Sequence, residues 1–308
     1  MKILMIFFVF SLSLFSQEAI FELITPIPQK FDYDLEKAKL GKKLYMDTNL
    51  SKDKTVSCNS CHSIDNYGVD NLEFSLGVGG QLDTPFNTPS SFNAVFNFVQ
   101  FWNGRAKDLV EQAKAPFVNP KEMGLTENEV VSIVKANPQY VESFKRLYGE
   151  VNFDTIASAI AEFEKTLITP DSPFDRYLKG DVGAISEAAQ RGFQVFKKNG
   201  CISCHQGQNI GGNMYQRVGV FADYPNAQTL GRYEITGKEE DKMVFKVPSL
   251  RNIAKTAPYF HDGSIPTLEN AVQLMADYQL GRKLSSQDLA DIIAFLNTLT
   301  GEVPNAID

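Results

Sequence analysis

Two five-residue stretches decide the reading of this chain: Cys58-Asn59-Ser60-Cys61-His62 and Cys201-Ile202-Ser203-Cys204-His205. Between them they hold all 4 cysteines and two of the 3 histidines of a 308-residue sequence. The spacing has a chemical reason. Two thiols add as thioethers across the two vinyl groups of a haem, and the adjacent imidazole meets the iron on one face. A zinc site would need four ligands from associated pairs, and no second Cys/His pair accompanies either copy. A redox dithiol leaves the following histidine unexplained twice over. Disulfides, which an exported chain permits, leave it unexplained as well. The expectation is two covalently bound c-type haems.

Working outward, a similar helical stretch precedes each copy. Leu40-Gly41-Lys42-Lys43-Leu44-Tyr45 leads to the first, and Arg191-Gly192-Phe193-Gln194-Val195-Phe196 to the second. This suggests a duplicated cytochrome-c-like unit, in which the glycine lets two helices cross closely and the aromatic packs on the haem. Helical patterns dominate elsewhere. Thr126-Glu127-Asn128-Glu129 is a capping box ahead of Val130, Ile133 and Val134. Ile156, Ile160, Phe163 and Leu167 share one apolar face, as do Leu289, Ile292, Ile293 and Leu296. Residues 266–280 read as a further helix. The one strand signal is a short hairpin across Tyr233–Ile235 and Val244–Lys246, turning through Gly237. Thr169–Gly183, with Pro170, Pro173, Gly180 and Gly183, reads as the join between halves. The predicted architecture is all-α with few short strands. A domain spans residues 20–179 and a second 180–308, each cytochrome-c-like with one haem.

Composition sets the class. Hydrophobic residues are 43% and charged residues 22%, enough to bury a real core. A formal charge of −7 gives no basic surplus to neutralise phosphates, which argues against a nucleic-acid partner. Three histidines exclude a His-rich metal cage. Residues 2–16 run from one cation through an apolar stretch to small residues, shorter than the ~20 apolar residues that span a bilayer. They read as a secretory signal over residues 1–19 rather than an uncleaved anchor, and so point to the periplasm.

Several further blocks extend the pattern: Phe101-Trp102-Asn103-Gly104-Arg105-Ala106, Glu111-Gln112-Ala113, Asn119-Pro120-Lys121-Glu122-Met123-Gly124, Gly211-Gly212-Asn213-Met214-Tyr215 and Pro248-Ser249-Leu250-Arg251-Asn252. The longest runs from Thr256-Ala257-Pro258-Tyr259-Phe260-His261-Asp262-Gly263 to Thr267-Leu268-Glu269. With these blocks, in order, nearly the whole chain resembles the bacterial dihaem cytochrome c peroxidases, a family that also contains the enzymes maturing the methylamine dehydrogenase cofactor. The resemblance implies a low-potential peroxide haem in the first domain and a high-potential electron-entry haem in the second.

An electron-transfer haem wants histidine plus a thioether, because soft sulfur favours ferrous iron. Met214, Met243 and Met275 all follow the second motif, and spacing does not choose among them; the family pattern selects Met275 as partner of His205. Maturation enzymes carry tyrosine there, so methionine favours a peroxidase. At the first haem, where His62 is one ligand, family members commonly place a distal histidine after Ser-x-Gly. Ser75-Leu76-Gly77-Val78-Gly79-Gly80-Gln81 has none. The expectation is a first haem with an open face even when fully oxidised. His261 matches Tyr-Phe-His-Asp-Gly, which implies a hydrogen-bonding role between the domains rather than a cap on the first iron. By resemblance Glu122 is the acid–base residue, Gln112 and Pro116 complete the distal pocket, and Trp102 lies between the haems. Asn87, with the backbone carbonyls of Thr256 and Pro258, matches a calcium site. The implied reaction is reduction of hydrogen peroxide with electrons from a small cytochrome c or cupredoxin, in a homodimer. Two alternatives stand beside it: a dihaem electron carrier without chemistry, and an oxidase of a protein or organic substrate acting through a high-valent dihaem state.

Overall fold

The computed structural model describes residues 23–80, 85–225, 228–304 and 307, so the expected signal peptide lies outside the described residues. Helices carry this chain. The first half holds α1 (Leu35–Met46), α2 (Cys58–Cys61), α3 (Leu109–Val118), α4 (Glu127–Ala136), α5 (Pro138–Tyr148) and α6 (Phe153–Glu164). α7 (Pro173–Leu178) sits inside the stretch read as the join. The second half holds α8 (Glu187–Asn199), α9 (Tyr233–Thr236), α10 (Leu268–Leu274) and α11 (Ser286–Asn297). Local chemistry sets their ends. Thr126 and Glu129 close the expected capping box on α4, Ser186 caps α8, and Gly200 ends it in the left-handed region at φ 94°.

The two halves repeat one crossing. At Gly41 of α1, an added Cβ would lie 1.8 Å from the Ala159 carbonyl oxygen of α6. At Gly192 of α8, it would lie 1.8 Å from the Asp291 carbonyl oxygen of α11. Only glycine permits backbones this close. Each crossing supports a buried aromatic behind a haem motif, as the sequence predicts. Tyr45 is 1% exposed and its hydroxyl donates to the His62 carbonyl at 2.7 Å. The Phe196 ring stands 6.4 Å from that of His205.

Two apolar cores follow from these crossings. One gathers Leu44, Phe117, Phe144, Ile156 and Phe163. The other gathers Phe193, Phe196, Ile292, Phe295 and Leu299, and also takes in Ile24 from near the start of the chain and Phe174 from α7. A fully buried ion pair ties these parts together: Arg251 Nη1 lies 2.8 Å from Asp175 Oδ1, Asp175 Oδ1 accepts from the Ile27 amide, and Arg251 Nη2 donates to the Thr25 carbonyl. Among the described residues, no helix is long and apolar enough to cross a membrane.

The expected hairpin is corrected. Tyr233–Thr236 is helical (α9), and Gly237, at φ 66°, is its left-handed cap rather than a hairpin turn. Val244–Lys246 (β2) pairs antiparallel with Tyr215–Arg217 (β1) instead, placing Tyr215 opposite Lys246 and Arg217 opposite Val244. The helix expected over 266–280 also changes character. Its α-helical part ends at Leu274 and continues as a π-helical turn, Met275–Gln279.

Gly41→Ala and Gly192→Ala should each destabilise the fold by about 1–3 kcal/mol, since a methyl group must displace a facing backbone carbonyl. Gly183→Ala, where the nearest atom is Asp181 Oδ1 at 3.6 Å, should change stability by no more than about 0.5 kcal/mol. Denaturant unfolding of the three variants checks this.

Candidate active site

α3 starts the first site. Asp108 caps it, and Gln112 and Pro116, four residues apart, point one helical face at a cavity of about 80 Å³. The chain then turns back through Asn119–Gly124, with the Gly124 amide donating to the Asn119 carbonyl at 2.9 Å. That turn brings Glu122 to the same cavity, where Asn119 Nδ2 holds its Oε1 at 2.6 Å. His62 lines the same cavity with Trp102, Arg105 and Glu164. Burial pulls the His62 pKa below its ordinary value, and its Nδ1 lies 3.3 Å from the Gly68 carbonyl oxygen. Such an imidazole is neutral and fit to ligate a metal.

The loop without a histidine packs on the turn that carries Glu122. A Cβ on Gly77 would lie 1.7 Å from the Lys121 carbonyl oxygen. The Val78 amide donates to the Glu122 carbonyl at 2.9 Å, and the Gly79 amide donates to Asp53 Oδ2 at 2.7 Å. None of residues 75–80 lines the first cavity; Gln81 lies outside the described residues.

A second cavity, of about 260 Å³, is lined by Cys201, Cys204, His205 and Met275. Burial lowers the His205 pKa to about 4. Met275 opens the π-helical turn, a distortion that often marks a functional position. Met214 and Met243 do not line this cavity. Trp102 lines both cavities. Its indole N–H donates to the Asn87 carbonyl at 2.8 Å, and its own carbonyl accepts from the Lys246 amide at 2.7 Å.

The donor sets fit two haems: a half-buried, neutral imidazole beside a Cys-x-x-Cys pair each time, a thioether added only at the second, and predominantly apolar walls there. A family model for "Di-haem cytochrome c peroxidase" matches residues 35–183, and one for "Cytochrome c" matches 189–300. Cytochrome c551 peroxidase of Nitrosomonas europaea is 46% identical, over 92% of this chain and 86% of its own. The chain belongs to the di-haem cytochrome c peroxidase family. Cytochrome c551 peroxidase of Pseudomonas aeruginosa is 44% identical over 87% of this chain and 80% of its own. A solved MauG-like protein associated with microbial copper homeostasis superposes at a TM-score of 0.78 with 29% identity, covering 92% and 94% of the two chains. The protein is therefore a peroxidase oxidoreductase with two covalently bound c-type haems.

In this di-haem peroxidase the remaining expected residues fall as follows. Asn87, Thr256 and Pro258 line the second cavity, and Asn87 Nδ2 donates to the Leu72 and Glu73 carbonyls. Among the described residues no cluster of three or more His, Cys, Asp or Glu side chains could hold a metal ion. His261 is buried, but its ring makes no hydrogen bond at Nε2. It stacks on Phe245 at 4.2 Å and 22° instead, while its carbonyl accepts from the Asn87 amide. The hydrogen bonding expected of this residue is done by its main chain.

Sequence reasoning missed Glu164. It lines the first cavity, is 6% exposed, and has a buried Oε2 with no hydrogen-bond partner. Burial raises its pKa to about 8, so the carboxyl is largely neutral at pH 7. The available signal was position: it sits beside Phe163 on the inward face of α6, where a carboxylate is out of place. Unfolded, this group ionises near 4.5; folded, it keeps its proton to about 8. The folded state thus binds more protons between these values. Its contribution is fully present below about pH 4.5 and is lost as pH rises towards 8, by at most about 1.4 kcal/mol per unit. Glu164→Gln should flatten that slope, read from denaturation midpoints of both proteins between pH 5 and 8.

Proposed function

We propose that the protein reduces hydrogen peroxide to water in the periplasm, at the first haem site, with electrons that enter at the second. One observation carries this reading: the first cavity presents a single imidazole, His62, beside Gln112, Pro116 and Glu122, whereas the second presents both His205 and Met275. A pure electron carrier would saturate both irons with protein ligands. The methionine also disfavours an oxidase of the cofactor-maturing kind.

Hydrogen peroxide, two electrons and two protons give two water molecules. The haems, when bound, supply the electrons and the metal at which the O–O bond breaks. The chain supplies the proton traffic. Glu122 takes a proton from one peroxide oxygen and returns it to the departing one. The Asn119 amide fixes the Glu122 carboxylate for that transfer, and the loop over 75–79 fixes its backbone. Gln112 orients the substrate, and Pro116, which has no amide hydrogen, narrows the cavity without adding a donor. Trp102, on the wall shared by both cavities, lies on the electron path between them.

The packing of the Gly77 loop against Lys121 and Glu122 supports a first site that accepts ligands without prior reduction of the second haem. For the donor we propose a small cytochrome c or cupredoxin. Val220 and Phe221 are 51% and 66% exposed and lie beside the π-helical turn that carries Met275, the Phe221 amide donating to the Tyr278 carbonyl. Such a patch suits a transient redox partner. Family resemblance further supports a homodimer, and a calcium ion held by Asn87 with the carbonyls of Thr256 and Pro258. The apolar run over residues 2–16 supports export.

Glu122→Gln should lower peroxide turnover about 10²–10⁴-fold, measured in steady state with a reduced small donor; unchanged turnover removes Glu122 from the mechanism. The fully oxidised protein should bind cyanide at one haem only. An electron spin resonance spectrum of that state with two low-spin, six-coordinate haems would contradict the open first site.

A further inference from the structure

The second cavity is one-sided in charge. Arg217, Lys246, Arg251 and Arg282 line it, and among the described residues no aspartate or glutamate does. Three of these cations are accounted for: Arg251 is paired with Asp175, and Arg217 and Arg282 reach solvent. Lys246 is different. It lies on β2, is 5% exposed, and is held at its backbone by the Trp102 carbonyl. Among the described residues no carboxylate lines the cavity beside it. The other titratable groups on this cavity are the two cysteines, Tyr259, His205 and His261, and none supplies a negative charge at neutral pH. Burial without a counter-charge lowers its ammonium pKa to about 8. Taking an unpaired ammonium out of water is costly, and a neighbouring anion relieves that cost.

We propose that Lys246 is the binding residue for a propionate carboxylate of the second haem, and that its charge helps set that haem at the high-potential end. Among its described lining residues the cavity has a buried cation and no acid, while the group its Cys201, Cys204, His205 and Met275 would hold brings two propionate carboxylates that need a partner. A positive charge beside a haem favours the ferrous form, which carries one more electron. The lysine is also tied through its main chain to Trp102, on the wall between the two cavities. The proposal rests on haem occupancy of the second cavity and not on peroxide turnover, so loss of turnover alone leaves it standing.

The test is spectroelectrochemistry of the full holoprotein, with both haems verified as attached. In the wild type, a paired lysine stays charged, and the midpoint potential of the methionine-ligated haem should be flat from pH 7 to 9. In Lys246→Met that potential should fall at pH 8 by 59 mV or more, a tenfold change in the one-electron equilibrium. It should also acquire a pH dependence as the lone carboxylate takes up a proton. Lys246→Arg should restore the wild-type value. Equal potentials in the wild type and Lys246→Met would overturn the proposal, as would a shift confined to the first haem. Should Lys246→Met not accumulate, the wild-type titration decides: a fall in potential between pH 7 and 9 means an unpaired lysine losing its proton, and the assignment fails.

Discussion

A carbonyl oxygen occupying the place of a missing side chain holds this molecule in shape, once in each half. At Gly41 and again at Gly192, the facing helix supplies an oxygen 1.8 Å from where a Cβ would stand. Because the backbones meet there, the aromatic residues four positions on, Tyr45 and Phe196, are pressed behind the two Cys-x-x-Cys-His turns. The cavities owe their position to that contact. Helix-to-helix side-chain packing would hold the axes 8–10 Å apart and leave the aromatics no fixed wall to press against.

On this repeated frame the two sites diverge through what faces the imidazole. In the second half a helix loosens into a π-helical turn and offers Met275 to the cavity of His205. In the first half the corresponding space is bounded by α3 and the turn after it, which bring Gln112, Pro116 and Glu122 and no soft ligand. The glycine-rich loop over 77–80 takes part only indirectly. Having no side chain at Gly77, it can lie against Lys121 and Glu122, and so braces the carboxylate turn from outside. The difference between the two sites thus comes from second-face residues, while the frame itself is symmetric.

Burial gives the charged residues their differing roles. Arg251 and Asp175 are both fully buried and satisfy one another, tying the early segment around Ile27, the join and the second half together. Glu164 has no such partner and takes the other route open to a carboxyl in a poor dielectric, keeping its proton. Breaking a satisfied buried pair typically costs 3–5 kcal/mol, so the Arg251 clamp is structural in effect, whereas the neutral Glu164 carboxyl leaves a hydrogen-bonding group free at the wall of the first cavity.

Much of this was legible along the chain. The cysteine spacing, the paired Gly-x-x-x-aromatic stretches and the Thr126 capping box depend on neighbours within a few residues, and they read correctly. The partner of Val244–Lys246 did not: the nearby Tyr233–Ile235 looked suitable, but the strand pairs with Tyr215–Arg217, nearly thirty residues away. Nor could spacing separate Met275 from Met214 and Met243, reveal that His261 stacks on Phe245, or expose Glu164 and Lys246 as buried ionisable groups. By itself the sequence determined two haem-bearing helical units. Tertiary structure alone decided which side chains share each cavity and which charges lose their water, because burial and long-range pairing belong to the folded arrangement and leave no period in the sequence.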